Sequence, residues 1–259
     1  MPFIDITPDN IAKEHICCAI TEKKGESCVA DKKAWLSQRF ADGLVFKRLD
    51  ARGKVFIEYI PAERAWCPID APGCMHIDCF WVAGQYKGKG HGAGLLAACV
   101  EDAREKGKLG ITVATTKKKR PFMTDGRFFK AKGFEVVDTA MPDFELLYLP
   151  LVPDAPRPHF RDSCKEGRVY VPGLAIFYTN QCPFAHTYAR RVEEAARACG
   201  TSITVTQFET AEEAQNAPSP FTTYSFFDEG VFITNEILSP GKLLTYLEAK
   251  TRREHAIDK

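Results

Sequence analysis

The sequence predicts an α+β domain built on one mixed central sheet with flanking helices, followed by a smaller α/β domain. Three observations lead to this prediction. The chain has 259 residues, which is more than one domain of usual size needs. Four prolines fall within residues 150–158 and exclude a continuous helix or strand there. Patterns typical of strands and helices occur on both sides of this segment. We therefore place the domains at residues 1–150 and 160–259, with a proline-rich linker at 151–159.

The elements of the first domain follow from local signals. Thr7 and Pro8 are typical of a helix N-terminus, and Gly107 is typical of a helix end. The segment at 50–53 suits a hairpin turn between two strands. In chain order, we predict a strand at 3–6, a helix from Thr7, a helix at 26–41, strands at 44–49, 54–61 and 74–82, a helix ending at Gly107, a strand at 111–115, a helix at 125–132, and strands at 135–139 and 144–149.

The second domain has its own sequence of signals. Gly200 closes a helix, residues 228–230 suit a hairpin turn, and Ser239 with Pro240 begins the last helix. We predict a strand at 174–178, a helix at 183–199, a strand at 202–208, a short helix at 211–216, hairpin strands at 222–227 and 231–234, and a final helix.

The composition limits the possible functions. Hydrophobic residues make up 45% of the chain and charged residues 27%, which is ordinary for a globular protein. The 35 basic and 34 acidic residues give a net charge of +1, so no overall field favours nucleic acid or an anionic membrane. No apolar run reaches the roughly 20 residues of a membrane helix, and residues 1–20 lack the apolar core of a signal peptide. We predict a cytoplasmic protein whose ten cysteines are reduced thiols.

Two groups of residues could be read as metal ligands. Strand alternation at 74–82 puts Cys74, His76 and Asp78 on one face and Cys79 on the other. Cys182 and His186 form the second group. Paired Cys-x-x-Cys motifs are absent from both, so we predict no metal site.

A glycine-rich segment follows the predicted strand at 74–82. Gly88, Gly90 and Gly92 lack side chains that would block an anion, and the next helix directs its unpaired N–H groups and positive dipole end to the same place. This order predicts a pyrophosphate cradle, although a flexible surface turn is the alternative. The cradle does not have the spacing of a Walker A loop.

Residues 81–96 resemble the acetyl-CoA loop of the GNAT N-acetyltransferase superfamily, with its core Arg/Gln-x-x-Gly-x-Gly/Ala. Gly90 and Gly92 match this core, whereas Lys87 stands where Arg or Gln is usual. Residues 128–134, Phe-Phe-Lys-Ala-Lys-Gly-Phe, resemble the Phe-Tyr-x-x-x-Gly-Phe ending of that family. The resemblance implies a GNAT-like sheet over about residues 3–150 and acetyl-CoA as the cofactor.

The resemblance also implies a set of site residues. The pantetheine arm would lie beside residues 80–82, and the diphosphate on the amides of residues 87–93. The cofactor-binding residues implied are Phe80, Trp81, Val82, Lys87, Gly88, Lys89, Gly90, His91, Gly92, Ala93, Phe129 and Lys132.

The implied chemistry needs a base for the acceptor amine. His76 and Asp78 stand where family members often carry an acidic base, but either could simply satisfy a neighbouring turn. The tyrosine that often protonates the CoA thiolate is replaced by Phe129, which has no proton to donate. Tyr148 and Cys79 are the substitutes. The loop at 59–73 is expected to shape the acceptor pocket, and the basic run at 117–120 could meet CoA phosphates or be a solvated loop.

The second domain resembles thioredoxin and glutaredoxin. Cys182 matches the nucleophile at a helix start and Pro220 the cis-proline opposite it, while Ala185 replaces the second cysteine or serine of the pair. The helix dipole is expected to lower the pKa of Cys182. The combination of the two domains resembles the YoaP-type acetyltransferases.

Three functions follow. The first is an acetyl-CoA-dependent N-acetyltransferase acting on a small-molecule or protein amine. The alternatives are a monothiol redox or thiol-transfer protein working through Cys182, and a non-catalytic acyl-CoA-binding regulator. For the acetyltransferase, we interpret the second domain as a wall or lid over the acceptor side.

Overall fold

A seven-stranded mixed sheet forms the first domain. The computed structural model describes residues 1–257 except for 17, 23 and 25. Among these, the strands are β1 (Phe3–Ile6), β2 (Val45–Leu49), β3 (Val55–Pro61), β4 (Ile69–Asp70), β5 (Cys74–Val82), β6 (Gly110–Thr116), β7 (Glu135–Ala140) and β8 (Phe144–Pro150). All except β4 join the sheet, in the order β1-β2-β3-β5-β6-β8-β7. The central neighbours β5 and β6 are parallel, and the other pairs are antiparallel.

One helix covers each face of this sheet. Trp35 and Leu36 of α1 (Cys28–Arg39) pack into the apolar cluster on one face. Leu95 and Cys99 of α2 (His91–Glu105) pack into the cluster on the other face. A short helix, α3 (Gly126–Lys130), follows β6 and begins at Asp125, whose side chain accepts a hydrogen bond from the amide of Arg127. The predicted mixed sheet with flanking helices is therefore confirmed.

The helix predicted to begin at Thr7 is wrong. The amides of Ile11 and Glu14 donate to the carbonyls of Thr7 and Asn10, and the segment forms successive turns. The side chain of Asn10 accepts from the amide of Thr7 and donates to the carbonyl of Asp5. These local bonds compete with a continuous helix, as asparagine side chains commonly do.

Strands β5 and β6 separate halfway along their length. They pair only from Cys74–Ile77 against Gly110–Val113; beyond that point β5 pairs with β3, and β6 pairs with β8. The result is an opening between two parallel strands in the middle of the sheet. Residues after Ile77 therefore have main-chain groups on the β6 side that the sheet does not use.

A β-bulge lies at the same point. Glu58 of β3 is opposite Cys79, but the next residue, Tyr59, is opposite Ile77, so Asp78 is the extra residue on β5. The bulge changes the alternation that the sequence predicts. Cys79 now packs with the cluster that contains Cys74, on the face predicted to exclude it, while Ile77 packs with the opposite cluster.

The second domain has a four-stranded sheet. Its elements are β10 (Leu174–Tyr178), α5 (Ala185–Ala198), β11 (Ile203–Gln207), α6 (Ala211–Gln215), β12 (Tyr224–Asp228), β13 (Val231–Thr234) and α7 (Pro240–Ile257), and they follow β9 (His159–Phe160) and α4 (Asp162–Lys165). The order is β11-β10-β12-β13, with β10 parallel to β11 and antiparallel to β12. The Ser239 hydroxyl accepts from the amide of Lys242, so Ser239 caps α7 as predicted.

The two domains share a core. Phe177 and Phe232 of the second domain belong to the same buried cluster as Trp35 and Phe144 of the first. The rings of Phe144 and Phe232 meet edge to face, with centroids 5.4 Å apart. After the proline-rich segment, β9 pairs with β4 of the first domain. A shared apolar interface of this kind holds two domains in a fixed arrangement.

Candidate active site

A cleft of about 520 Å³ lies beside the free end of β5, and we call it the glycine cleft. Most of the residues predicted to bind the cofactor line it: Phe80, Trp81, Val82, Lys87, Gly88, Gly90, His91, Gly92, Ala93 and Lys132. Lys89 and Phe129 are not among the lining residues. Lys119 of the predicted basic run also lines the cleft, and sequence reasoning missed Tyr86, Met123, Thr124, Asp125 and Phe128, which complete the lining. Asp125 lies just before the Phe-Phe motif, and Phe128 is the first residue of the motif. Their position at this motif was the signal that could have identified them.

The glycines of this cleft have the conformations that the cradle needs. Gly88 and Gly90 have φ angles of 75° and 80°, which favour glycine strongly. A Cβ atom added to either would meet no atom within 4 Å, so both positions face open space. Gly90 directly precedes α2, whose first amides have no partner within the helix. Backbone donors and the helix dipole thus meet at one open concavity, which suits a phosphate group.

Basic side chains surround this concavity. Lys87, Lys119 and Lys132 line the cleft, against the single carboxylate of Asp125. Asp125 is paired with Arg127, and that hydrogen bond holds the pKa of its carboxyl below the ordinary value. Of the predicted basic run, Lys119 is therefore a lining residue. The local field favours a polyanion, although the net charge of the chain is close to zero.

Phe129 supports the cleft from behind. Its ring is fully buried and meets the rings of Phe80 and Phe134 edge to face, at centroid distances of 5.3 and 5.1 Å. Phe80 in turn stacks on Phe128 at 4.9 Å. Phe129 therefore supports the packing of the cleft and does not make the predicted contact with the cofactor. Phe80 and Phe128 form the surface of the cleft instead.

A second, smaller cavity lies at the bulge of β5, between the two domains, and we call it the interdomain pocket. Its volume is about 30 Å³. The first domain contributes His76, Asp78 and Cys79, and the second contributes Gln181 and residues 220–223. Thr124 lines both this pocket and the glycine cleft, and its hydroxyl donates to the carbonyl of Phe80 at 3.4 Å. The two cavities therefore adjoin along one strand.

The bulge brings two titratable groups together. Nε2 of His76 lies 4.0 Å from a carboxylate oxygen of Asp78, and both side chains are buried. Burial lowers the pKa of His76 to about 3, so its imidazole is neutral. Burial, reinforced by the nearby carboxylate of Glu58, holds the pKa of Asp78 well above its ordinary value. Such a carboxylate is a stronger base than one exposed to water.

A buried ion pair accompanies these groups. Nζ of Lys32 contacts both carboxylate oxygens of Glu58 at 2.8 and 2.7 Å, and both side chains are almost fully buried. The ammonium also lies 4.3 Å from the ring centre of Trp35. The sequence did not predict this ion pair, because Lys32 on α1 and Glu58 on β3 come together only in the folded protein.

The structure does not bring Tyr148 to this region. Its hydroxyl donates to the carbonyl of Leu109 at 3.4 Å, beside Gly110 at the beginning of β6. The pocket and the cleft lie along the later part of β5, which runs parallel to β6. Cys79, the other substitute for the missing tyrosine, lines the interdomain pocket.

The predicted thiol site is changed in two respects. Burial raises the pKa of Cys182 to about 12, although hydrogen bonds from the amides of Phe184 and Ala185 oppose this effect. The expected lowering by the helix is therefore outweighed by the loss of solvent. Pro220 lines the interdomain pocket, but it follows a trans peptide bond, since the described residues contain one cis bond, Met141–Pro142.

Two kinds of feature are absent from the described residues. No group of three or more His, Cys, Asp or Glu side chains has an arrangement that could hold a metal ion, including the groups around His76 and Cys182. No helix within the described part of the chain has the length and apolar character needed to cross a membrane.

Comparisons with known proteins agree with the fold of the first domain. Residues 11–123 match the model of the acetyltransferase (GNAT) family, and residues 203–244 match the YoaP-like family. The chain is 44% identical over 242 residues to the uncharacterized N-acetyltransferase YoaP of Bacillus subtilis, covering 93% of this chain and 96% of the relative. The chain is a GNAT-family N-acetyltransferase. Within that family it belongs with YoaP, because it shares both domains with that relative.

Solved structures are similar over the first domain. A Salmonella typhimurium acetyltransferase, YncA, with its cofactor acetyl-CoA is 17% identical, with a TM-score of 0.42 over 60% of this chain and 98% of its own. The PaiA N-acetyltransferase of Thermoplasma acidophilum, in complex with coenzyme A, is also 17% identical, with a TM-score of 0.39 over 58% and 99% of the two chains.

Proposed function

We propose that this enzyme transfers the acetyl group of acetyl-CoA to a primary amine, with the cofactor in the glycine cleft and the amine at the bulge of β5. The observation that carries the proposal is the adjacency of the two cavities, which share Thr124 and lie along one strand. A thioester at the junction would be within reach of both. This places a buried base next to the site where the new bond forms.

The residues of the glycine cleft fit the cofactor. Gly88 and Gly90 leave open space where any side chain would stand, and the amides around them suit a diphosphate. Lys87, Lys119 and Lys132 supply positive charge. The free edge of β5 after Ile77 can hydrogen-bond an extended pantetheine arm. When bound, acetyl-CoA supplies an acetyl group activated as a thioester.

Asp78 is the residue we propose as the base. An alkylamine arrives as an ammonium ion and must lose a proton before it can attack a carbonyl carbon. The raised pKa of Asp78 makes its carboxylate a better proton acceptor than an exposed one. Its place in a bulge re-aims its side chain toward the pocket that it lines, as bulges beside active sites often do.

His76 is proposed to position Asp78. The Thr112 hydroxyl donates to the carbonyl of Met75 at 3.4 Å, so its oxygen accepts from Nδ1 of His76 at 2.9 Å. This network assigns the proton of the neutral imidazole to Nδ1 and leaves the Nε2 lone pair on the side of Asp78. Cys79 is proposed to protonate the leaving thiolate, in place of the tyrosine replaced by Phe129.

The second domain is proposed to be thioredoxin-like. Its order of elements, β-α-β-α-β-β-α, and the strand order β11-β10-β12-β13 support this assignment. The raised pKa of Cys182 argues against a role in thiol transfer, because the thiolate is the reactive form.

Titration calorimetry tests the proposal. The reduced protein is expected to bind acetyl-CoA and desulfo-CoA with similar affinity, since the desulfo compound keeps the diphosphate and cannot exchange thiols. CoA release in the presence of primary amines is then the readout of activity. Binding without release would support an acyl-CoA-binding regulator, and absence of binding would overturn the proposal. Asp78→Asn is expected to keep the cofactor affinity and to lose acetyl transfer.

A further inference from the structure

The interdomain pocket has walls from both domains. Trp66, Asp78 and Phe122 come from the first domain, and Gln181 and Phe221 come from the second. Three aromatic side chains thus line the same pocket as one carboxyl group. Aromatic faces beside a carboxylate suit an alkylammonium group, whose charge pairs with the acid while its carbon atoms pack on the rings.

Hydrogen bonds fix the second domain against the loops that frame this pocket. The Thr222 hydroxyl donates to the carbonyl of Trp66, and the Cys67 thiol donates to the carbonyl of Pro220 at 3.4 Å. On the other side, the side-chain amide of Asn235 donates to the carbonyl of Pro121 at 2.9 Å. The second domain therefore closes the face of the pocket from which a large acceptor would have to approach.

Trp66, a residue of the wall, carries an unusual buried polar group. Trp66 is almost fully buried, and its indole nitrogen has no hydrogen-bond partner among the residues that the structure describes. Buried N–H groups are nearly always paired, so an unpaired one beside a cavity points to a water or ligand acceptor.

The closed pocket is small. A volume of about 30 Å³ holds one or two water molecules, so an amine can enter only if part of the wall moves. Phe122 is the exposed part of that wall: its side chain is 43% exposed and its φ angle is 62°, which is unusual for a bulky residue. Strained residues of this kind cluster at ligand clamps.

We propose that the interdomain pocket is the acceptor site, that the second domain forms its specificity-determining wall, and that it takes a small aliphatic primary amine. The lysine side chains of a folded protein are excluded, because the second domain covers the approach. This inference rests on the proposed function. Phe221, on the second domain, limits the length of the acceptor. Phe122, on the first domain, is the gate through which the acceptor enters.

The test compares three probes with the full-length protein: ethylamine, n-butylamine and a lysine pentapeptide with a blocked N-terminus. The wild type is expected to prefer the short amines and to leave the peptide unmodified. Phe221→Ala is expected to raise kcat/KM for n-butylamine relative to ethylamine by about 10-fold, since a pocket changed by a few methylene groups discriminates on that scale. Phe122→Gly is expected to act in the same direction, and its folding is secure because glycine favours the φ angle there.

Tyr170→Ala is the matched control. Tyr170 is a fully exposed aromatic residue of the second domain and does not line the pocket. All variants should bind acetyl-CoA with the affinity of the wild type. The inference is overturned if the peptide is acetylated as well as the amines, if neither pocket variant changes the preference, or if the protein binds acetyl-CoA and acetylates no small amine. Failure to bind acetyl-CoA would overturn the proposed function and this inference with it.

Discussion

Two glycines that flank α2 allow the phosphate cradle to be tested without a change in packing. Gly90 precedes the helix and Gly107 follows it, with φ angles of 80° and 63°. A Cβ atom at either position would meet no atom within 4 Å. Gly90 lines the glycine cleft, whereas Gly107 does not. Gly90→Ala and Gly107→Ala therefore impose similar backbone strain and differ in what the new methyl group can block.

The expected magnitudes follow from these two positions. A left-handed alanine costs about 1 kcal/mol relative to glycine, so each variant should unfold about 2–4 °C below the wild type. At Gly90 the methyl group also keeps the diphosphate away from the amides. Losing one hydrogen bond to a charged group costs about 1.5–3 kcal/mol, which weakens acetyl-CoA binding by about 10- to 100-fold.

Calorimetry and thermal unfolding of both variants measure these effects separately. Gly107→Ala should lose stability and keep the acetyl-CoA affinity of the wild type. If both variants weakened binding equally, the loss would come from strain in α2 and the cradle would be wrong. An unchanged affinity in Gly90→Ala would place the diphosphate elsewhere.

Three further predictions concern buried groups. Lys32→Met should lower the free energy of unfolding by about 3–5 kcal/mol in urea, because it leaves a buried Glu58 carboxylate unpaired, and adding Glu58→Leu should recover most of the loss. The wild type should lose about 1.6 kcal/mol of stability more than His76→Gln between pH 6.5 and 5, because His76 stays neutral in the folded protein, with a pKa of about 3, while the unfolded chain takes up the proton near pH 6.5. Iodoacetamide at pH 7.5 should modify the exposed Cys199 and spare Cys182, as peptide mapping will show; equal labelling would contradict the raised pKa of Cys182.

Local signals were sufficient for most elements of the fold. The strand at 74–82 is confirmed at both ends, because a run of β-favouring residues is bounded by glycines. The last helix begins as predicted at Pro240, because a serine cap and a proline at the first position are specific to helix starts. The helix predicted at Thr7 has the same kind of signal and does not form. Asn10 hydrogen-bonds within its own turn there, which the cap pattern does not reveal.

The site was harder to predict than the fold. The glycine cleft could be read from the sequence because its donors are backbone amides, whose position depends on glycines and on one helix start. The interdomain pocket depends on the register of β3 against β5. A bulge at Asp78 adds one residue to one strand, and strand alternation alone cannot show which residue is added. Cys79 was therefore placed on the wrong face.

Under the proposed function, the second domain accompanies the catalytic domain as a wall of the acceptor pocket. Its side chains hydrogen-bond backbone carbonyls of the first domain, at Trp66 and Pro121, and backbone carbonyls leave no pattern of residue types in the sequence. Its sheet shares the buried cluster that contains Phe144, and Phe221, the residue of the proposed wall, packs partly buried against the same cluster. A fixed wall narrows an acceptor site without taking part in the chemistry. Cys182 packs against the second domain's own apolar cluster, where burial raises the pKa of its thiol.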